Sequence, residues 1–150
     1  MSELKLQKEM AAELVPPQQL TIPVWVQLVV IAGALMTAAG AIIALVHPIM
    51  LVSPHDQING AVRIYAGYLV SRNLAMAGLL IVLLILRAQR ALRHLMVLVG
   101  LIQLLDACMD YAEDRWAIMP GVLVFGLIFL LAARRLGGAI PFWSREAWIG

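Results

Sequence analysis

Arg72, Asp106 and Asp110 are ionisable side chains set inside long apolar stretches of a 150-residue chain that is 63% hydrophobic and 13% charged. An ionised group near a bilayer centre costs roughly 2.5–3.5 kcal/mol on insertion scales, so such residues face a bundle interior and pair. Three chemistries suit them: an ion pair, a hydrogen-bonding pocket, or proton transfer on a hydrophobic substrate. Helical spacing organises the set, because positions three, four and seven apart share a face. Tyr65, Tyr68 and Arg72 form one such stripe, with Asn73 about a quarter turn away, and Gln103, Asp106 and Asp110 form another.

The elements that must position these stripes follow from the apolar blocks. Stretches of about 17–25 residues cross a bilayer as helices, and four are predicted at 24–46, 62–86, 95–112 and 116–133. A soluble bundle would need a polar outward face, which the block WAIMPGVLVFGLIFLLAA lacks. Barrel strands would alternate with period two, and none do. The expected fold is all-α, an integral membrane four-helix bundle over residues 24–135. Residues 1–23 are read as a cytoplasmic segment containing a short interfacial helix or a frayed tail, and 136–150 as a cytoplasmic aromatic tail.

Orientation is expected from Lys and Arg near the spans. Lys5 and Lys8, then Arg87, Arg90 and Arg93, then Arg134, Arg135 and Arg145 fall on one side if all four helices cross. Both termini and the middle link are therefore expected to be cytoplasmic (N-in/C-in) in the inner, or plasma, membrane. The formal charge of +2 reads as orientation and not as a nucleic-acid surface, which needs a larger basic face. The first 23 residues hold no apolar run long enough for a signal peptide, so the first span is expected to stay as an anchor.

Depth brings the two stripes together. The short basic link makes spans two and three an antiparallel hairpin, in which residues equidistant from Arg90 lie at similar heights. Arg72 precedes Arg90 by 18 residues, while Asp106 follows it by 16 and Asp110 by 20. At about 1.5 Å per residue, Arg72 falls between the two carboxylates in height and could reach either. Insertion favours the pairing: eight large aliphatics in span three contribute roughly −0.5 kcal/mol each, which one central Asp at about +3 nearly cancels.

Two readings of the constellation stand. One is a structural ion pair that sets helix register. The other is a polar ligand-binding pocket floored by Arg72, Asn73 and Gln103 and walled by Tyr65, Tyr68, Asp106 and Asp110. Its acidic excess suits a proton, a cation or a hydroxyl-bearing ligand.

Other motifs read as packing or anchoring. Gly33, Thr37, Gly40 and Ala44 form a small-residue face that permits close helix approach, and Pro120-Gly121, Phe125, Gly126 and Phe129 kink or pack the fourth span. Trp25, Trp116, Trp143 and Trp148 fall at expected interfaces. Cys108 is the only cysteine, which excludes an intramolecular disulfide. His47, His55 and Asp56 match no metal-ligand spacing, so no metal is expected. Phosphate loops, nucleophile elbows and haem-attachment motifs are absent from the sequence.

The strings YAGYLVSRNLAMAGLLIVLLILR and LVGLIQLLDACMDY, set among four spans, resemble the DoxX-like small four-helix bacterial membrane proteins and their uncharacterised relatives. In that family an Arg followed by a polar or acidic residue in span two and an Asp in span three recur, matching Arg72-Asn73 and Asp106. The resemblance covers roughly residues 24–135 and implies the fold. It further implies, for some members, a place as a subunit of a quinone-linked oxidoreductase. A looser similarity is to the sterol isomerase type of bundle, whose intramembrane carboxylates bind an amine or stabilise a carbocation.

The resulting expectation is a multi-pass protein binding a lipid-like or quinone-like molecule, or serving as an accessory subunit of a membrane complex. Its partners would be the lipid bilayer, a hydrophobic small molecule, and a membrane partner subunit or a second copy. No resident cofactor is expected, with a quinone as the candidate if one is bound. The alternative is an intramembrane acid/base enzyme, isomerase- or oxidoreductase-type, using Asp106 or Asp110 as its catalytic group.

Overall fold

The computed structural model describes residues 21–51 and 59–137. The calls on the N-terminal segment, on His55 and Asp56, and on the aromatic tail beyond 137 lie outside them. The described chain is all-α: α1 spans Val24–Val46, a short 3₁₀ turn follows at Pro48–Leu51, and α2 (Gly60–Ile85), α3 (Gln89–Ala112) and α4 (Met119–Leu136) complete it. Each of the four long helices is long and apolar enough to cross a membrane. By helix length and hydropathy this is a multi-pass membrane protein in contact with lipid.

Helix ends explain where these elements depart from the apolar runs. Pro23 N-caps α1, and Gln27 donates its side-chain amide back to the Ile22 carbonyl at 2.8 Å. The Asn59 side chain accepts from the Val62 N–H at 3.1 Å, starting α2 ahead of its apolar stretch. Arg87 turns the chain between α2 and α3 with φ 52°. The third helix then begins at Gln89, six residues before the apolar run at 95, because backbone hydrogen bonding continues through polar residues, here with Arg90 exposed and Arg93 buried. The fourth begins later than its apolar run. A turn over 113–118 intervenes, and Pro120, with no N–H to satisfy, sits in the first helical turn. At its far end Arg134 and Arg135 occupy the last turn, where cations complement the negative end of the helix dipole.

Consecutive helices pack as two hairpins, α1 with α2 and α3 with α4, and the hairpins meet more sparingly. Where they meet, glycines let helices approach. Gly33 lies under the Phe129 ring, with Phe125 beside it, joining α1 to α4. Gly100 and Gly126 face each other's backbone across α3 and α4, so that a Cβ on either would stand 3.1 Å from the other's carbonyl oxygen.

The buried cluster shared by all four helices occupies one half of their length. It runs through Val26, Val30 and Ala34, then Ala77 and Leu80, then Leu92 to Val99, and closes on Phe129, Ala132 and Ala133. This half includes the α2–α3 turn, and Phe129, Leu80, Leu92 and Met96 are fully buried in it, where close van der Waals packing holds the helices together. Toward the other end burial continues inside each hairpin, at Ala41, Ala44 and Ala66 and again at Ala107 and Asp110, but these residues lie outside the shared cluster.

Candidate functional site

Arg72 and Asp106 meet at 3.5 Å between Nη2 and Oδ2, joining α2 to α3 across the interface of the two hairpins. Each side chain keeps 42% of its surface exposed, so the protein covers the pair only in part. The Arg72 Nε also approaches Asn73 Oδ1 at 3.5 Å. Asn73 in turn points its amide toward Gly40 of α1, the position where an added Cβ would stand 4.0 Å from Nδ2. Three helices therefore converge on this level.

Thr37, on the small-residue face of α1, adds a polar group to its packing role. It lies on α1 between Gly33, which faces α4, and Gly40, which faces α2. Its Oγ1 is buried and has no hydrogen-bond partner among the described residues. A buried hydroxyl without a partner costs on the order of 1–3 kcal/mol, which is the kind of deficit a bound polar group can remove. The sequence signal was a Thr interrupting a run of Gly and Ala.

Tyr68 and Tyr65 stand one and two helical turns from Arg72 on the same face of α2, and they are 73% and 76% exposed. That stretch of α2 is uncovered by α3. The arrangement is accordingly an exposed polar face that begins where the shared core ends, with Arg72 and Asp106 at its inner edge. Gln103, the remaining member of the α3 stripe, sets its Cβ against Gly126 of α4 and is half-buried.

Asp110 belongs to a different pair. Its Oδ1 lies 3.2 Å from Nη1 of Arg115, with side-chain exposures of 12% and 29%. The fold achieves this by reversing the chain just past α3. Asp114 takes φ 55°, and the Arg115 N–H donates to the Asp110 carbonyl at 2.8 Å. Trp116 Nε1 then donates to Asp114 Oδ1 at 3.3 Å, and the Trp116 ring packs edge-on against Tyr111 at 4.9 Å. In the sequence the signal for this pair is a cation five residues past an intramembrane Asp, across a helix end.

Arg93, read from the sequence as one of the orienting charges, is buried to 5% exposure. Its guanidinium packs on Gly137 at the C-terminal end of α4, where the helix dipole favours a cation. No grouping of three or more His, Cys, Asp or Glu able to hold a metal ion occurs among the described residues.

Neither a protein-family model, nor a curated protein, nor a solved structure matches this chain. The shared character with DoxX-like proteins thus stops at four long apolar helices consistent with a small four-span membrane protein.

Chemically, this exposed face offers a guanidinium with donors to spare, a carboxylate with open lone pairs, and two phenolic hydroxyls on one side of α2.

Proposed function

We propose that this protein binds a lipid-like or quinone-like small molecule on the exposed polar face at Arg72 and Asp106. The observation that carries the reading is the incomplete cover of the pair: each side chain is 42% exposed in a region of apolar helices. A pair serving only to fix register would be expected to sit in the shared core, since polar groups open to hydrocarbon are costly. A ligand carbonyl or hydroxyl accepting from Arg72 or donating to Asp106 would satisfy the open side, while its apolar body lies against Tyr65 and Tyr68.

The proposed orientation has both termini cytoplasmic. The turn bearing Arg87 and Arg90 and the Arg134-Arg135 end of α4 lie at the same end of the helices, as the positive-inside rule requires of a cytoplasmic face. The polar face then lies toward the outer half of the bilayer.

The test is thermal stability of the purified protein with and without a short-chain ubiquinone, and separately with a long-chain monoacylglycerol. The wild type is expected to be stabilised by one of them, and Asp106→Asn and Arg72→Leu each to lose that gain. If the single variants unfold early, the Arg72→Leu/Asp106→Asn double variant regains stability, and neither probe stabilises the wild type, the pair is structural and the binding reading fails.

A further inference from the structure

We propose that the groove between α2 and α3, on the side away from the Arg72 end of the helices, seats one acyl chain of an anionic glycerophospholipid, with the phosphate held by Arg87 and Arg90. The groove has a volume of about 630 Å³ and is lined on α2 by Leu79 and Leu83 and on α3 chiefly by Leu95, Leu98 and Leu101, with His94 toward its basic end.

Length supports a lipid chain as occupant. From Ala91 to Leu101 the lining spans ten residue steps of α3, or about 15 Å of helix. That is half of a hydrocarbon core about 30 Å thick, the depth of one leaflet.

Charge supports an anionic headgroup. On α3, Arg90 stands on the line of His94, Val97 and Leu101, at spacings of four, seven and eleven residues. It therefore extends the groove's own face toward water. Arg87 follows Leu83 by one turn in the α2–α3 link, and both arginines are exposed. The described acidic residues, Asp106, Asp110, Glu113 and Asp114, all lie toward the opposite end of α3 or beyond it. Among the described residues, then, nothing acidic competes for the guanidinium groups at the groove's mouth, and each basic residue near an anionic surface is worth about 1 kcal/mol, or roughly fivefold in affinity.

The experiment places the full chain in phosphatidylcholine vesicles containing a minor fraction of phosphatidylglycerol with a diazirine midway along one acyl chain. After irradiation the labelled residues are mapped by peptide mass spectrometry. Labelling is expected to concentrate on Leu79, Leu83, Leu98 and Leu101, and to fall roughly twenty-fivefold in the Arg87→Gln/Arg90→Gln variant. Both arginines are exposed, so that variant leaves the packed core alone; Leu98→Trp, which fills the groove, should lower labelling at Leu83 without changing the headgroup contacts. The proposal is overturned if label spreads equally onto outward residues of α1 such as Leu35 and Ile42. It is also overturned if the matching phosphatidylcholine probe labels the groove as well, if the arginine variant changes nothing, or if groove residues cross-link only to a second copy of the chain. None of these results depends on whether the Arg72 face binds a ligand.

Discussion

Arg115 folds back over the end of α3 to reach Asp110 at 3.2 Å, and in doing so leaves Asp106 as the carboxylate that Arg72 contacts. The two acidic residues of one helical stripe are thereby given separate partners, one at the rim of the α3–α4 hairpin and one at the junction between hairpins.

This division is measurable. The Asp110–Arg115 pair is mostly buried on the acidic side, between the regimes of exposed and buried ion pairs. Asp110→Asn is expected to destabilise by about 1–2 kcal/mol, and Arg115→Gln by a similar amount, in denaturant unfolding of the detergent-solubilised protein. Their double-mutant cycle should show coupling, whereas Asp110→Asn combined with Arg72→Leu should be additive within about 0.5 kcal/mol.

The seat of Phe129 on Gly33 predicts a size-specific defect. A Cβ at 33 would overlap the ring at Cζ, and Phe129 is fully buried. Gly33→Val is therefore expected to cost about 1–3 kcal/mol by overpacking. Adding Phe129→Leu should recover part of that loss, a result read from melting temperatures of the single and double variants.

Glycines separate by what surrounds them. At Gly126 an added methyl meets the Gly100 carbonyl at 3.1 Å and the Gln103 Cβ at 3.1 Å, and backbone cannot step aside. Gly78, in the middle of α2, has nothing within 4 Å. Gly78→Ala should be neutral or stabilise by up to about 1 kcal/mol through helix propensity, while Gly126→Ala lowers stability. Equal effects at the two positions would contradict the α3–α4 approach.

Topology can be read with reporters. A fusion after Gly150 is expected to report cytoplasmic, and an insertion after Asp56 to report the outside. A periplasmic signal from the C-terminal fusion would refute the charge-based orientation.

Much of the fold was legible because backbone in hydrocarbon must satisfy its own hydrogen bonds, which leaves helices as the economical solution for long apolar runs. Even the depth of Arg72 could be counted, since helical rise is constant and a short link makes neighbouring spans antiparallel. What counting could not do was choose between Asp106 and Asp110. That choice rests on the left-handed Asp114, which turns Arg115 toward Asp110, and one backbone dihedral leaves no periodic trace in a sequence. Arg93 shows the same limit: its charge is obvious in the chain, but its burial against Gly137 comes from the end of α4, more than forty residues away.

The sequence by itself determined the number of long helices, their apolar character and which faces carry Tyr65, Tyr68, Arg72, Asp106 and Asp110, because periodicity and composition are local properties. Only the tertiary structure decided that the hairpins share a core over one half of their length and leave Arg72 and Asp106 partly open beyond it. That outcome depends on where Gly33, Gly100 and Gly126 let helices close together, and close approach is a relation between distant segments, not a property of any one of them.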